Sequence, residues 1–363
     1  MTNTFRKCLK ASIIGILFIF SGILMLNSGC SKKDTSTTAV NGYKQVNLVA
    51  DINSFSAIRT DTKLGNAWGI AIGTTGDFWI AANHTGSCVI YDYNGTQLLA
   101  PINIPLGIIQ NGASPTGVVY NSTNDFYIPG NGASSYIFAT EDGIISAWNA
   151  ITGASSKTVA DRSLAGAVYK GITMATDSGA NFIYAADFHN AKIDVYDRNF
   201  TLITTKPFID TTIPVGYAPF NIENIGGKLY VTYAQQMAPL NHNDNAGIGH
   251  GYVNVFTTSG IFLKRFTSQG MLNSPWGITQ TSAAFGQVAN AILIGNFGDG
   301  HICVYDANGA YQGQLISNGA VLTISGLWAI KFCNVFLADP NHLYFTAGPN
   351  NESNGLFGYL KKM

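Results

Sequence analysis

Trp68-Gly69-Ile70, in the segment NAWGI, returns later in the chain as Trp276-Gly277-Ile278 and, with one change, as Trp328-Ala329-Ile330. The shared pattern is a large or polar residue, then a small residue, then Ile or Val, and three looser copies of it are Thr116-Gly117-Val118, Lys170-Gly171-Ile172 and Phe220-Asn221-Ile222. Successive copies lie 48, 54, 50, 56 and 52 residues apart. Because β-propeller blades repeat every 40–50 residues or so, the six copies predict six blades.

Each copy has the surroundings of a blade's innermost strand. A small middle residue is expected there, because six backbones converge on one axis and a side chain would collide. A second apolar strand follows each copy, at 78–82, 136–140, 182–186, 229–232, 292–295 and 343–346. A third strand then ends in an aromatic residue and a turn former, so Asp92, Asp197 and Asp306 are predicted to form turns rather than to act as catalytic acids.

The sixth blade reaches the end of the chain without an outer strand. We expect residues 45–50 to supply it, because pairing the first strand with the last blade closes the ring and removes two unpaired edges. The predicted fold is all-β: a six-bladed β-propeller over residues 43–363, closed by an N-terminal strand paired with the last blade.

The first 42 residues have a different composition. Arg6, Lys7 and Lys10 precede an apolar run over 11–26, which is short for a membrane span of about 20 residues and predicts a signal peptide over 1–29. Cys30 follows small residues, as in lipoprotein cleavage sites, and residues 30–42 form a polar tether. We therefore expect export and a lipid on Cys30 that anchors the chain to the cell envelope, on the periplasmic or surface face of the outer membrane. The alternative is ordinary cleavage, with Cys30 in a flexible tail.

Composition and missing motifs narrow the function classes. Charged residues make up 11% of the chain, and 20 basic residues balance 20 acidic ones, so no net field favours nucleic acid. The membrane is expected as a partner only through the lipid. The sequence lacks GxSxG, HExxH, a P-loop and CxxCH, which excludes the enzymes built on those motifs.

Several stretches resemble an uncharacterised family of exported bacterial β-propeller proteins, some of which carry a PEP-CTERM sorting tail. These stretches are TEDGIISAWN (140–149), GAVYKG (166–171), APFNI (218–222), YVTYAQ (230–235), LNSPWGI (272–278), ILIGNFGDG (292–300), GLWAI (326–330) and LYFTAGPN (343–350). The blade pattern is also distantly similar to NHL repeats. The resemblance implies the propeller fold and export, and it implies no activity.

Function is expected at one opening of the central channel, where first strands begin and second strands end. Four oxygen-bearing side chains are predicted at this rim: Asn83, Glu141, Asp187 and Asn296. Hard cations prefer such ligands, and the set resembles the mouth of six-bladed calcium-dependent lactonases and esterases, so Ca²⁺ is a possible cofactor. The alternative is that these residues cap strand ends and hold water.

Larger side chains are predicted around the same opening. Trp68, Phe220, Trp276 and Trp328 could stack on a ligand or fill the core between blades, and Lys170 belongs to the same ring of first-strand residues. His84 and His189 follow second strands and could be general bases or solvated surface residues. The long loop over 235–251 contains His242, Asp244 and His250 and is expected to be either a lid or a disordered excursion.

Three functions remain open from the sequence. The first is an envelope protein whose propeller mouth binds a small molecule, a glycan or a partner protein. The second is a Ca²⁺-dependent hydrolase of lactones or esters. The third is a purely structural surface protein.

Overall fold

The computed structural model describes residues 42–108, 113–281, 285, 290–335 and 337–363. The signal peptide predicted over 1–29, the lipidated Cys30 and the tether up to residue 41 lie outside the described residues. Within the described ranges, no helix is long and apolar enough to cross a membrane.

The described residues form 29 strands and four short 3₁₀ helices. In chain order the strands are β1 (Tyr43–Ala50) and β2 (Arg59–Thr60); β3 (Ala67–Ile72), β4 (Phe78–Ala82), β5 (Ser87–Tyr91) and β6 (Gln97–Asn103); β7 (Pro115–Tyr120), β8 (Tyr127–Ile128), β9 (Gly132–Ala133), β10 (Tyr136–Thr140), β11 (Ile144–Trp148) and β12 (Lys157–Asp161); β13 (Tyr169–Asp177), β14 (Ala180–Asp187), β15 (Lys192–Tyr196) and β16 (Leu202–Ile203). They continue with β17 (Tyr217–Ile225), β18 (Lys228–Gln235), β19 (Gly251–Phe256) and β20 (Phe262–Ser268); β21 (Pro275–Gln280), β22 (Ile292–Asn296), β23 (Ile302–Tyr305) and β24 (Tyr311–Gln314); β25 (Ile316–Ser317) and β26 (Ala320–Val321); β27 (Leu327–Phe332), β28 (Leu343–Ala347) and β29 (Leu356–Lys362). The 3₁₀ helices are Asn53–Phe55, Asn83–Thr85, Ala150–Thr152 and Ser163–Ala165.

Six antiparallel sheets form the blades, and each begins with a strand that carries one of the six sequence copies. These first strands are β3, β7, β13, β17, β21 and β27. Each packs against the first strand of the next blade, and β27 packs against β3, so the ring closes. The predicted six-bladed β-propeller is confirmed.

The small residues of the repeat lie where neighbouring inner strands come closest. A Cβ added at Gly69 would lie 2.6 Å from the carbonyl oxygen of Thr116, and one at Gly277 would lie 2.5 Å from that of Trp328. Such distances are too short for any side chain. Steric crowding at the axis therefore explains the small middle residue, as the sequence predicts.

The last blade is completed by the strand that follows the tether. β1 pairs antiparallel with β29, with Val46 opposite Tyr359 and a bulge between Asn47 and Val49. The sheet order is β2-β1-β29-β28-β27. The predicted closing strand, residues 45–50, is thus confirmed within a slightly longer element.

The predicted turn residues also have the expected role. Oδ1 of Asp92 accepts hydrogen bonds from the backbone N–H groups of Asn94 and Thr96, at 2.8 and 2.7 Å. Asp197 and Asp306 accept the equivalent pairs in blades three and five. These carboxylates fix hairpin turns.

The hydrophobic core lies between blades rather than at one centre. In the interface of blades one and two, for example, Trp79 and Ile90 pack with Tyr136 and Phe138. Similar clusters fill the other interfaces, and the sixth cluster extends to the axis, where it includes Trp68, Trp276 and Trp328. Apolar burial of about 25 cal/mol per Å² makes these interfaces the main source of stability.

Candidate functional site

One opening of the channel contains a cavity of about 650 Å³, which we call the mouth. It lies where first strands begin and second strands end. All six blades contribute to its wall. The contribution of blade five comes from the loop between its second and third strands. The lining residues are Trp68, Asn83, His84, Glu141, Lys170, Met237, His242, Asn243, Asp244, Asn245, Ala246, Phe297, Trp328, Asn351 and Glu352.

The centre of the charged wall is an ion pair between Lys170 and Glu141. The Lys170 side chain is 3% exposed and that of Glu141 is 14% exposed, and Asn83 Nδ2 donates to the second carboxylate oxygen at 2.9 Å. Burial alone would raise the pKa of Glu141, but the Lys170 charge and the two hydrogen bonds outweigh it and hold that pKa below its ordinary value. Glu141 is therefore kept ionised at neutral pH.

A second carboxylate, Glu352, reaches the mouth from blade six. Asn66 Nδ2 donates to Glu352 at 2.8 Å, and Asn66 Oδ1 accepts from Trp328 Nε1 at 3.2 Å. Burial raises the pKa of Glu352, and the nearby charge of Glu141 adds to that rise. One buried amide thus links an aromatic side chain to an acid in the cavity.

The loop between β18 and β19 forms the third part of the wall and contributes His242 and Asp244. Burial raises the pKa of Asp244. The loop is fixed at both ends: Gln236 Nε2 donates to the carbonyl of Phe188 at 2.6 Å, and the N–H of Gly247 donates to Asn273 Oδ1 at 2.7 Å. The candidate lid is an ordered wall of the cavity.

Aromatic rings form the floor of the mouth. Trp328 stacks on Trp68 on one side and on Phe297 on the other, with centroid distances of 3.5 and 4.0 Å. Trp276 and Phe220 pack edge-on or tilted against this stack. Trp276 and Phe220 do not line the mouth, and so they only fill the core at the axis. Trp68 and Trp328 fill the core and also line the mouth.

The four predicted calcium ligands do not converge. Asn83 and Glu141 bond to each other, but Asp187 accepts from the N–H of Val168 at 3.1 Å and from Asn190 Nδ2 at 2.8 Å. Asn296 Nδ2 donates to the carbonyl of Met271 at 2.8 Å, and its Oδ1 has no hydrogen-bond partner among the described residues, but Asn296 lies outside the lining of the mouth.

No group of three or more His, Cys, Asp or Glu side chains suited to a metal is found among the described residues. The ammonium of Lys170 also occupies the Glu141 carboxylate. This donor set does not fit a calcium ion.

The two predicted histidines have different positions. His84 lines the mouth. His189 is outside its lining, and its Nδ1 lies 3.0 Å from the carbonyl oxygen of Leu240, where it supports the blade-four loop. His250 has a similar supporting contact, 2.8 Å from the carbonyl of Asn245.

Four residues of the site were not predicted from the sequence: Asn66, Phe297, Glu352 and, as a residue of the mouth, Asp244. Glu352 lies in the loop GPNNESNG after β28, five residues past Ala347, the strand end that the repeat aligns with Glu141. Asn66 directly precedes β3. The loop lengths differ between blades, and so alignment of strand ends alone could not identify these side chains.

The opposite opening is smaller. A cavity of about 360 Å³ there contains Glu223 and Lys331, from β17 and β27. Lys331 Nζ lies 3.4 Å from Glu223 Oε1, with side-chain exposures of 33% and 26%. In this pair one positive charge faces one negative charge, and both side chains are partly exposed.

The chain is a six-bladed β-propeller with a charged mouth that has an aromatic floor, and solved structures share the β-propeller fold. The chain is similar to virginiamycin B lyase from Staphylococcus aureus (TM-score 0.53, 12% identity, 88% of this chain and 99% of that one). It is also similar to the soluble aldose sugar dehydrogenase from Escherichia coli (TM-score 0.56, 13% identity, 88% and 100%). At such low identity these likenesses show the fold alone.

No protein-family model matches the chain. Relatives are found in Acanthamoeba polyphaga mimivirus: the uncharacterized protein R648 is 35% identical over 335 residues, covering 89% of this chain and 81% of the relative. The uncharacterized protein L690 is 34% identical over 329 residues, covering 88% and 86%. The chain belongs to the family of these uncharacterised proteins.

Proposed function

We propose that the protein binds a small molecule in the mouth of its propeller. The observation that carries this proposal is the cavity of about 650 Å³, whose volume lies in the range of ligand sites. Its lining combines aromatic rings with many polar and charged side chains that could orient a ligand. The ion pair of Lys170 and Glu141 is already formed, and the loop with Asp244 is anchored, so the site needs little rearrangement to bind.

A panel of monosaccharides, amino sugars, amino acids and aliphatic amines tests the proposal by differential scanning fluorimetry. At least one compound should raise the melting temperature, because a ligand that binds only the native state stabilises it. Ala246→Trp places a large side chain in the cavity wall and should abolish the shift. Ala180→Trp, at an exposed hairpin residue that does not line the mouth, is the matched control and should keep the melting-temperature shift.

Two results would contradict binding in the mouth. One is a panel in which no compound stabilises the wild-type protein. The other is a shift that survives unchanged in Ala246→Trp.

The location proposed for this binding is the cell envelope, with the chain held by a lipid on Cys30. Its support is the sequence pattern of residues 1–42: a basic start, an apolar run and a cysteine after small residues. In a bacterial host, wild-type protein should fractionate with membranes and Cys30→Ser with the soluble exported fraction. If wild type and Cys30→Ser were distributed equally between the two fractions, the proposed lipid anchor would be contradicted.

A further inference from the structure

The charge of the mouth differs from that of the whole chain. Twenty basic residues balance twenty acidic ones overall, yet three carboxylates, those of Glu141, Asp244 and Glu352, line the mouth against the single ammonium of Lys170. A neighbouring cavity of about 360 Å³ shares Glu141 and adds Asp142. The lining of the mouth therefore contains more carboxyl groups than amino groups.

The one ammonium in the mouth is already engaged. Lys170 Nζ pairs with Glu141 and lies 5.3 Å from the centre of the Trp68 ring. Within the part of the chain that the structure describes, no Lys or Arg forms an ion pair with Asp244 or Glu352. Burial raises the pKa of both carboxyl groups, and the charge of Lys170 offsets that rise only in part.

A separate observation concerns a hydrogen-bond donor. Trp68 lines the mouth and is 2% exposed, and its Nε1 has no hydrogen-bond partner among the described residues. The indole N–H groups of Trp276 and Trp328 donate to Lys170 O and Asn66 Oδ1. An unsatisfied buried donor is destabilising, so a ligand that brings an oxygen acceptor to Trp68 Nε1 would remove that cost.

We infer, building on the proposed function, that the ligand is a small organic cation in which a protonated amine lies close to an oxygen acceptor, as in amino sugars and amino alcohols. The ammonium group supplies the missing counterion for Asp244 and Glu352. The oxygen accepts from Trp68. The ring of Phe297, which stacks on Trp328 and is partly exposed in the mouth, provides an apolar face that packs against the carbon skeleton and adds a cation–π contribution.

Isothermal titration calorimetry with three matched sugars tests the inference: D-glucosamine, N-acetyl-D-glucosamine and D-glucose, at a pH at which glucosamine is protonated. Glucosamine should bind at least about tenfold more tightly than either neutral sugar, because the ion pairs form in a partly desolvated site. Glu352→Gln and Asp244→Asn should each weaken glucosamine binding about tenfold. Glu223→Gln, at the opposite opening, should leave it unchanged.

The outcomes separate this inference from the proposed function. If the neutral sugars bind as tightly as glucosamine, and Ala246→Trp abolishes that binding, the mouth binds ligands but the preference for a cation is contradicted. If none of the three sugars binds, the inference is overturned, and the panel described above then decides the proposed function on its own. If one variant fails to fold, the other keeps the test, because Asp244 and Glu352 come from different loops.

Discussion

The two openings of the channel each contain a lysine and a glutamate from different blades, yet the pairs differ in their surroundings. At the mouth, Lys170 is 3% exposed and is outnumbered by carboxylates. At the opposite opening, Lys331 is 33% exposed and faces Glu223 alone. Burial and local charge, rather than the pairing itself, therefore distinguish the mouth from the opposite opening.

The largest expected effect comes from breaking the buried pair. Lys170→Met leaves Glu141 ionised and desolvated without its counterion, and it should lower the free energy of unfolding by about 3–5 kcal/mol. Because the fold lowers the pKa of Glu141, the stabilisation is present above the ordinary Glu pKa and is lost as the pH falls through the lowered value. Urea denaturation at neutral and acidic pH measures both effects.

Two variants serve as controls for this result. Lys331→Met breaks the half-exposed pair and should cost less than about 1 kcal/mol. The double variant Lys170→Met with Glu141→Gln removes both charges and should recover most of the loss. Equal losses for Lys170→Met and Lys331→Met would show that the two openings are energetically alike.

A smaller effect of opposite sign is expected for Glu352→Gln. The fold raises the pKa of Glu352, so ionisation of this group opposes folding at pH values above the raised pKa, and the opposition disappears as the pH falls below the ordinary value. Glu352→Gln keeps the shape of the side chain and should therefore stabilise the protein at neutral pH, by less than Lys170→Met destabilises it. The gain should vanish in acid.

Melting curves of wild type and Glu352→Gln between pH 4 and pH 8, with Glu223→Gln as the matched variant, check this prediction. The melting temperatures of wild type and Glu352→Gln should separate as the pH rises. A Glu352→Gln variant that is less stable than wild type at neutral pH would mean that the hydrogen bond with Asn66 outweighs the cost of the buried charge.

The sequence predicted the scaffold well because each blade is a local unit. The repeat of Trp68-Gly69-Ile70 records a steric demand that recurs at every inner strand, where a Cβ would meet the next backbone. Apolar runs and turn residues such as Asp92 are also local signals. The sequence alone therefore predicts the strand positions, the number of blades and the closing strand.

The site was predicted only in part, since its residues are far apart in the chain. Asn83, Glu141 and Lys170 meet as expected, but Asp187 accepts hydrogen bonds from neighbouring groups, and neither Asp187 nor Asn296 lines the mouth. Only the folded loops reveal this, because a hydrogen bond to an adjacent turn competes with a ligand and has no signature in the spacing.

The sequence by itself determined that six similar sheets surround one axis and that the strand after residue 42 completes the last of them, because these features follow from local repetition and edge pairing. The tertiary structure decided which opening has an unbalanced charge. Loops of unequal length from separate blades bring Asp244 and Glu352 to the same cavity as Lys170, and burial there changes their electrostatic energy in a way that no local pattern encodes.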